Sequence, residues 1–184
     1  MNWKILIVFL LLISVISVLF ITYEKNKIPV VEDSPVVSVN ELASQDGLPD
    51  AVENKRQAIY KAALERNYER LAKETGSNFH YSFGGDYESG FAEYLKLSEK
   101  DEKYSSFDTI ITLLNLPYAV NGNIYSWPSF FTVEPSMWTE EDISLMKTFL
   151  TNEEIESYRE FGGYIYYRIG ITSDGEWIYY LAGD

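Results

Sequence analysis

One histidine, His80, stands in a chain of 184 residues, with Ser82 two positions on and Asp86 beyond the Gly84-Gly85 pair. A base, a hydroxyl and an acid are the parts of a serine triad, which also needs base and nucleophile in hydrogen-bond reach and an oxyanion hole. Residues two apart on a strand face point in parallel at about 7 Å and do not converge. The set therefore reads as the wetter face of a strand whose Phe79, Tyr81 and Phe83 are core. Paired carboxylates are the second chemistry, with Asp86 and Glu88 on a loop and Glu93 one turn onward, near His80. Glycoside cleavage needs two carboxyl groups about 5–9.5 Å apart, one of them kept protonated by an apolar neighbourhood. Calcium could meet Asp86, Glu88 or the 173–176 turn, but these acids do not repeat at loop spacing. No metal or cofactor site is expected.

The third chemistry is recognition. Of 29 aromatic residues, 23 fall in positions 79–184. Tyrosine and tryptophan bury large areas yet keep one polar atom, so they serve cores and ligand-facing surfaces alike. Tyr164, Tyr166, Arg168, Trp177 and Tyr179 are expected on one surface of a C-terminal strand pair, where they would form a binding face for a protein or a glycan. Composition narrows the classes further. The chain has 15 Lys+Arg against 28 Asp+Glu, a net charge of −13, and no cysteine. Nucleic-acid binding needs clustered cations and is excluded. Disulfides, thiolate zinc sites, cysteine nucleophiles and a lipoprotein anchor are excluded with the thiols. The sequence contains no P-loop, Gly-x-Gly-x-x-Gly, Gly-x-Ser-x-Gly, EF-hand spacing or Asn-x-Ser/Thr sequon.

The elements that must carry these residues begin with an apolar run, 5–23, broken only by Ser14, Ser17 and Thr22. At about 1.5 Å per residue it reaches nearly 30 Å, the thickness of a bilayer core. It is longer than a signal-peptide core and lacks a small-x-small cleavage site, which favours an uncleaved signal anchor. Residues 1–4 are expected in the cytoplasm, 24–48 as a tether, and 49–184 as a globular extracytoplasmic domain. Val36, Val37 and Val39 in the tether could add an edge strand. Beyond residue 28 the chain carries 12 basic and 27 acidic groups, so the acidity belongs to the domain.

Pro49-Asp50 open a helical pattern with Val52, Ile59, Ala62 and Ala63, which restarts after Asn67 with Tyr68, Leu71 and Ala72. The spacing predicts two short helices or one bent helix. Further helices are expected over 88–99, after Ser105-Ser106, and after Thr139 and Thr151, the last with a capping box to Glu154. Asn121-Gly122 predicts a hairpin or tight loop within 118–127. Residues 164–172 and 177–182 read as strands joined by a type I′ turn at Asp174-Gly175, with Ile171 facing Ile178 and Ile169 facing Tyr180. The expected fold is α+β, several helices packed on a small antiparallel sheet.

The stretches Phe161–Ile171, Tyr81–Gly85 and Ile124–Pro128, the Asp174-Gly175 turn and the closing Leu181–Asp184 are similar to uncharacterised bacterial envelope proteins. This resemblance spans most of residues 48–184 and implies a bacterial, extracytoplasmic domain with no activity attached. The expectation is thus a single-pass module, held in the lipid bilayer by 5–23, that recognises an envelope protein or glycan. The alternatives are a carboxylate-based hydrolase and a small acidic inhibitor or immunity-type protein with a basic partner.

Overall fold

The computed structural model describes residues 42–81, 90–99 and 105–183. The apolar run 5–23, the valines of the tether, and Ser82, Phe83, Asp86 and Glu88 lie outside the described residues. None of the described helices is long and apolar enough to cross a membrane.

The architecture is α+β, with a five-stranded mixed sheet in the order β1-β5-β4-β3-β2. Helix α1 (Asp50–Leu64) carries Asp50 and Glu53 in its first turn, where acids complement the helix dipole, and buries Val52, Ile59, Ala62 and Ala63. It ends at Glu65 and Arg66. The backbone of Arg66 is left-handed (φ 49°), and Asn67 then caps α2 (Tyr68–Lys73) by accepting from the Arg70 amide at 2.9 Å. The choice left open by the sequence resolves into two helices because Asn67 supplies a new N-cap. Helix α3 (Gly90–Ser98) packs on α2. Helix α4 (Ser106–Asn115) is capped by Ser105 and buries Phe107, Ile110, Leu113 and Leu114. Helices α1 and α4 pack on each other and on β4. Helix α5 (Glu140–Met146) and helix α6 (Asn152–Phe161) each start with a reciprocal capping box, Thr139 with Asp142 and Thr151 with Glu154.

Strands β2 (Ala119–Asn121) and β3 (Ile124–Trp127) form a tight antiparallel pair around Gly122, and β3 pairs antiparallel with β4 (Arg168–Thr172). The sheet departs from the antiparallel expectation at β1 (Thr75–His80), which lies parallel to β5 (Trp177–Leu181). This pairing joins segments about a hundred residues apart, and nothing local in either segment encodes it. Residues 164–167, expected in a strand, precede β4; Tyr164 instead donates to the Tyr167 carbonyl at 3.0 Å.

The turn into β5 also differs from expectation. A type I′ turn needs positive φ at both central residues, and here only Gly175 is left-handed (φ 87°), its amide donating to the Thr172 carbonyl at 2.8 Å. Asp174 keeps an ordinary backbone, and glycine takes the position that a Cβ would strain. A bulge between Gly170 and Ile171 then resets the register. Ile169 faces Tyr180 as expected, but Ile171 faces Trp177, not Ile178. Gly170 faces Tyr179, whose ring would lie 2.2 Å from a Cβ at that position, so the ring covers the glycine closely.

The core is aromatic. Trp177 is fully buried and meets Phe79 and Phe91 edge-on at ring centroid distances of 4.8 and 5.5 Å, while Tyr167 stacks on Tyr180 at 4.6 Å. One cation is buried with them. Arg56, 1% exposed on α1, donates from Nε and Nη2 to the Leu114 carbonyl at 3.0 and 2.9 Å. Nη1 and Nη2 donate to the Ala43 carbonyl, and Nη1 reaches both Glu53 carboxylate oxygens. Residues 42–46, read as the end of a tether, are therefore fastened to the domain. Leu42 is buried, Gln57 donates to its carbonyl, and Gln45 bonds both Leu116 and the Trp127 indole.

Arg56→Met would leave two inward carbonyls unpaired, each worth about 1–3 kcal/mol. Urea unfolding should show a loss of about 3 kcal/mol; a loss below about 1 kcal/mol would show the guanidinium to be dispensable.

Candidate functional site

The structure separates the residues expected on one binding face. The bulge turns Trp177 into the core, where its indole donates to the Tyr179 carbonyl at 2.9 Å, and Tyr164 is buried against Phe130 and Tyr158. Tyr179 is half-buried over Gly170, with its hydroxyl 2.6 Å from Ser126 Oγ. Arg168 lies 5.5 Å over the Phe131 ring and donates to the Gly183 carbonyl. Of the five, Tyr166 lines a concavity. His80 is exposed at the end of β1, and Glu93 on α3 lies 3.8 Å from the Lys96 ammonium. No cluster of three or more acids and histidine able to hold a metal occurs among the described residues.

Tyr166 closes a cleft of about 90 Å³ on one face of α4. Where one water needs about 10–15 Å³, this room holds several waters or the edge of a small ring. Asp108, Thr109, Thr112 and Leu113 come from α4, at spacings that put them on adjoining turns of one side, and Thr148 and Phe149 follow the end of α5. Leu113 and Phe149 make the apolar floor. The Tyr166 ring lies 5.9 Å from the Phe149 ring, and its hydroxyl is 3.4 Å from Thr109 Oγ1. Asp108 at the rim accepts from Arg66 Nη2 at 2.6 Å. The left-handed backbone of Arg66 occupies a place that usually falls to glycine or asparagine, at a cost of about 1–2 kcal/mol. Its side chain spans from the α1–α2 junction to the start of α4. Hydroxyls, one carboxylate and an aromatic floor can hydrogen-bond a polyol while covering its C–H face.

A wider groove of about 390 Å³ is lined by residues of and around α5 and by Arg159 of α6. Trp138 and Ile143 supply its apolar wall, and the Trp138 indole is fixed by the Phe130 and Val133 carbonyls, both at 3.1 Å. Thr139, Glu140 and Ser144 line one side, and Lys147 and Arg159 bring two cations. Apart from Tyr166, the residues of these two concavities carry no binding motif in the sequence. The available signal was polar Asp108, Thr109 and Thr112 interrupting the most apolar of the helices.

Burial governs the tyrosines. It pushes Tyr158 up to about 12, with Glu154 adding to the effect, and Tyr164 well above its ordinary value. Tyr68 is pushed up to about 12 by burial and by donating to Glu99. Tyr179 is raised by burial, against a smaller opposing effect of its bond to Ser126 and of Arg168. Their protons are held more tightly in the folded state, so this stability is complete below about pH 10 and is lost as pH rises from there through the folded values. An absorbance titration near 295 nm should show these four ionising only with alkaline unfolding, and ionisation with the exposed tyrosines would contradict their burial. Comparison with protein-family models, with curated proteins and with solved structures finds no match.

Proposed function

We propose that the protein is a binding module, anchored in the membrane by residues 5–23, whose extracytoplasmic α+β domain recognises an envelope glycan through the cleft at Tyr166. The observation that carries this reading is the cleft itself: an aromatic and aliphatic floor ringed by four hydroxyls and one carboxylate. Saccharide rings present an apolar face and a hydroxyl-bearing edge, and the two kinds of lining match those two surfaces. A run of 19 positions, apolar but for Ser14, Ser17 and Thr22, suits the anchor. The uneven charge, basic residues flanking the apolar run and acids over the domain, suits an anchor in anionic lipid and a domain that does not itself bind that lipid.

At about 0.3 kcal/mol per heavy atom, a hexose of about a dozen heavy atoms should bind with a Kd of about 1–3 mM. Titration of the full-length protein in detergent with glucose, followed by saturation-transfer NMR, should give a value in that range. Thr112→Trp, which fills the cleft, should weaken binding at least about tenfold, as deletion of about 1.4 kcal/mol requires. Unchanged binding in that variant would place the sugar elsewhere and overturn the proposal, as would no binding at all.

A further inference from the structure

The cleft at Tyr166 takes the edge of a ring and not the whole of one, because its 90 Å³ amounts to room for only several waters. What enters is therefore a substituent carried by the ring, and the lining sets the chemistry of that substituent. Several of the polar groups are already committed. Thr148 donates to the Leu145 carbonyl at 2.7 Å, which leaves its oxygen as an acceptor, and Thr109 and Tyr166 are bonded to each other. Two groups keep capacity for a ligand. Asp108 uses Oδ1 for Arg66 Nη2, and its Oδ2 accepts from none of the described residues. The half-buried Thr112 hydroxyl has no hydrogen-bond partner among the described residues.

Asp108 and Thr112 are four apart on α4, so their Cβ atoms lie about 5–6 Å from each other on one side of the helix. An ionised carboxylate only accepts, whereas a threonine hydroxyl also donates. Beside them Leu113 and Phe149 offer apolar floor alone. The fitting substituent has a donor for Asp108, an acceptor for Thr112 and an apolar end for the floor. A plain hydroxyl leaves the floor uncovered, and an ammonium meets Asp108 but brings no apolar end. A 6-deoxy methyl covers the floor and gives Asp108 nothing. A carboxylate or phosphate is repelled by Asp108 and faces too few donors. An acetamido group meets all three needs, because a planar trans amide presents N–H and C=O on opposite edges and ends here in a methyl.

We infer that the cleft is an acetamido subsite, in which the N–H of an N-acetylated amino sugar donates to Asp108, its carbonyl accepts from Thr112 and its methyl lies on Leu113 and Phe149. The inference rests on the glycan reading and adds the class of glycan, one that contains N-acetylated amino sugars. The bond to Asp108 is charge-assisted and roughly twice as strong as one between neutral groups. The methyl leaves water for the apolar floor, where a hydroxyl would lose its hydrogen bonds without replacement.

Saturation-transfer NMR on the full-length protein in detergent, with N-acetylglucosamine, glucose and glucosamine as probes, tests the subsite. Burial of one methyl and one bond donated to a carboxylate should make N-acetylglucosamine bind about tenfold tighter than glucose. The acetamido methyl should receive the largest saturation of the ligand protons. In Asp108→Asn, checked for folding by circular dichroism, the ratio of the two affinities should fall to about threefold or less as a neutral acceptor replaces the charged one. Thr112→Trp should abolish it. Equal binding of N-acetylglucosamine and glucose, or weaker saturation of the methyl than of the ring protons, would overturn the acetamido subsite and leave the cleft reading intact. So would glucosamine binding as tightly as N-acetylglucosamine, which would show that Asp108 takes a cation. A ratio undiminished in both variants would also overturn the subsite. Failure of all three sugars to bind would overturn both readings.

Discussion

A single buried cation organises the helical half of the molecule. Arg56 leaves water on α1 and finds its partners in the carbonyl of Leu114 at the end of α4, the carbonyl of Ala43 and the carboxylate of Glu53. Burial of an unpaired guanidinium would cost several kcal/mol, so the three partners have to arrive together. One consequence is that the C-terminal end of α4 is pinned to α1, and the other is that the segment before α1 is drawn onto the domain. Helix α4 supplies four of the cleft residues, Asp108, Thr109, Thr112 and Leu113. At its other end Arg66 ties Asp108 back to the α1–α2 junction. The helix is held at both ends by arginines, and the face between them lines the cleft.

The domain has no disulfides to lean on, and rings take their place. Trp177, Phe79, Phe91, Tyr180 and Tyr167 pass contacts from β1 through β5 to the segment before β4. The hydroxyls are used as well, as in Tyr164 to the Tyr167 carbonyl and Tyr179 to Ser126. Charge is partitioned differently. Lys55–Glu74, Arg70–Glu65 and Lys96–Glu69 neutralise the α1–α3 surface, each exposed pair contributing at most about 1 kcal/mol. The α5–α6 region keeps its acid surplus, with Lys147 and Arg159 lining one groove beside Glu140.

Local signals in the sequence carried the helices well. Asn67, Ser105, Thr139 and Thr151 each cap where their side chains allow, and the reciprocal bonds of Thr151 with Glu154 follow from spacing alone. Pairing over distance did not show. A hairpin read from Asp174-Gly175 gives the partner of Ile169 correctly, but one bulged residue beyond it exchanges Trp177 for Ile178 and moves an expected surface residue into the core. The parallel seat of β1 beside β5 has no sequence signature at all. Arg56 stands in a helical pattern like any solvated cation, because its burial is decided by carbonyls supplied from residues 43 and 114. The cleft is half legible in the sequence: Tyr166 stands out by its type, while its partners Asp108, Thr109 and Thr112 sit in a helix whose pattern marks mainly its apolar face.

The claim that connects these features is that the α4 face, and not the end of β1 around His80, is where a ligand sits. Amide chemical-shift mapping of isotopically labelled full-length protein with cellobiose tests it directly. The largest shifts are expected on Thr109, Thr112, Thr148 and Tyr166. Largest shifts at His80 and along α3, with the α4 face unmoved, would contradict it.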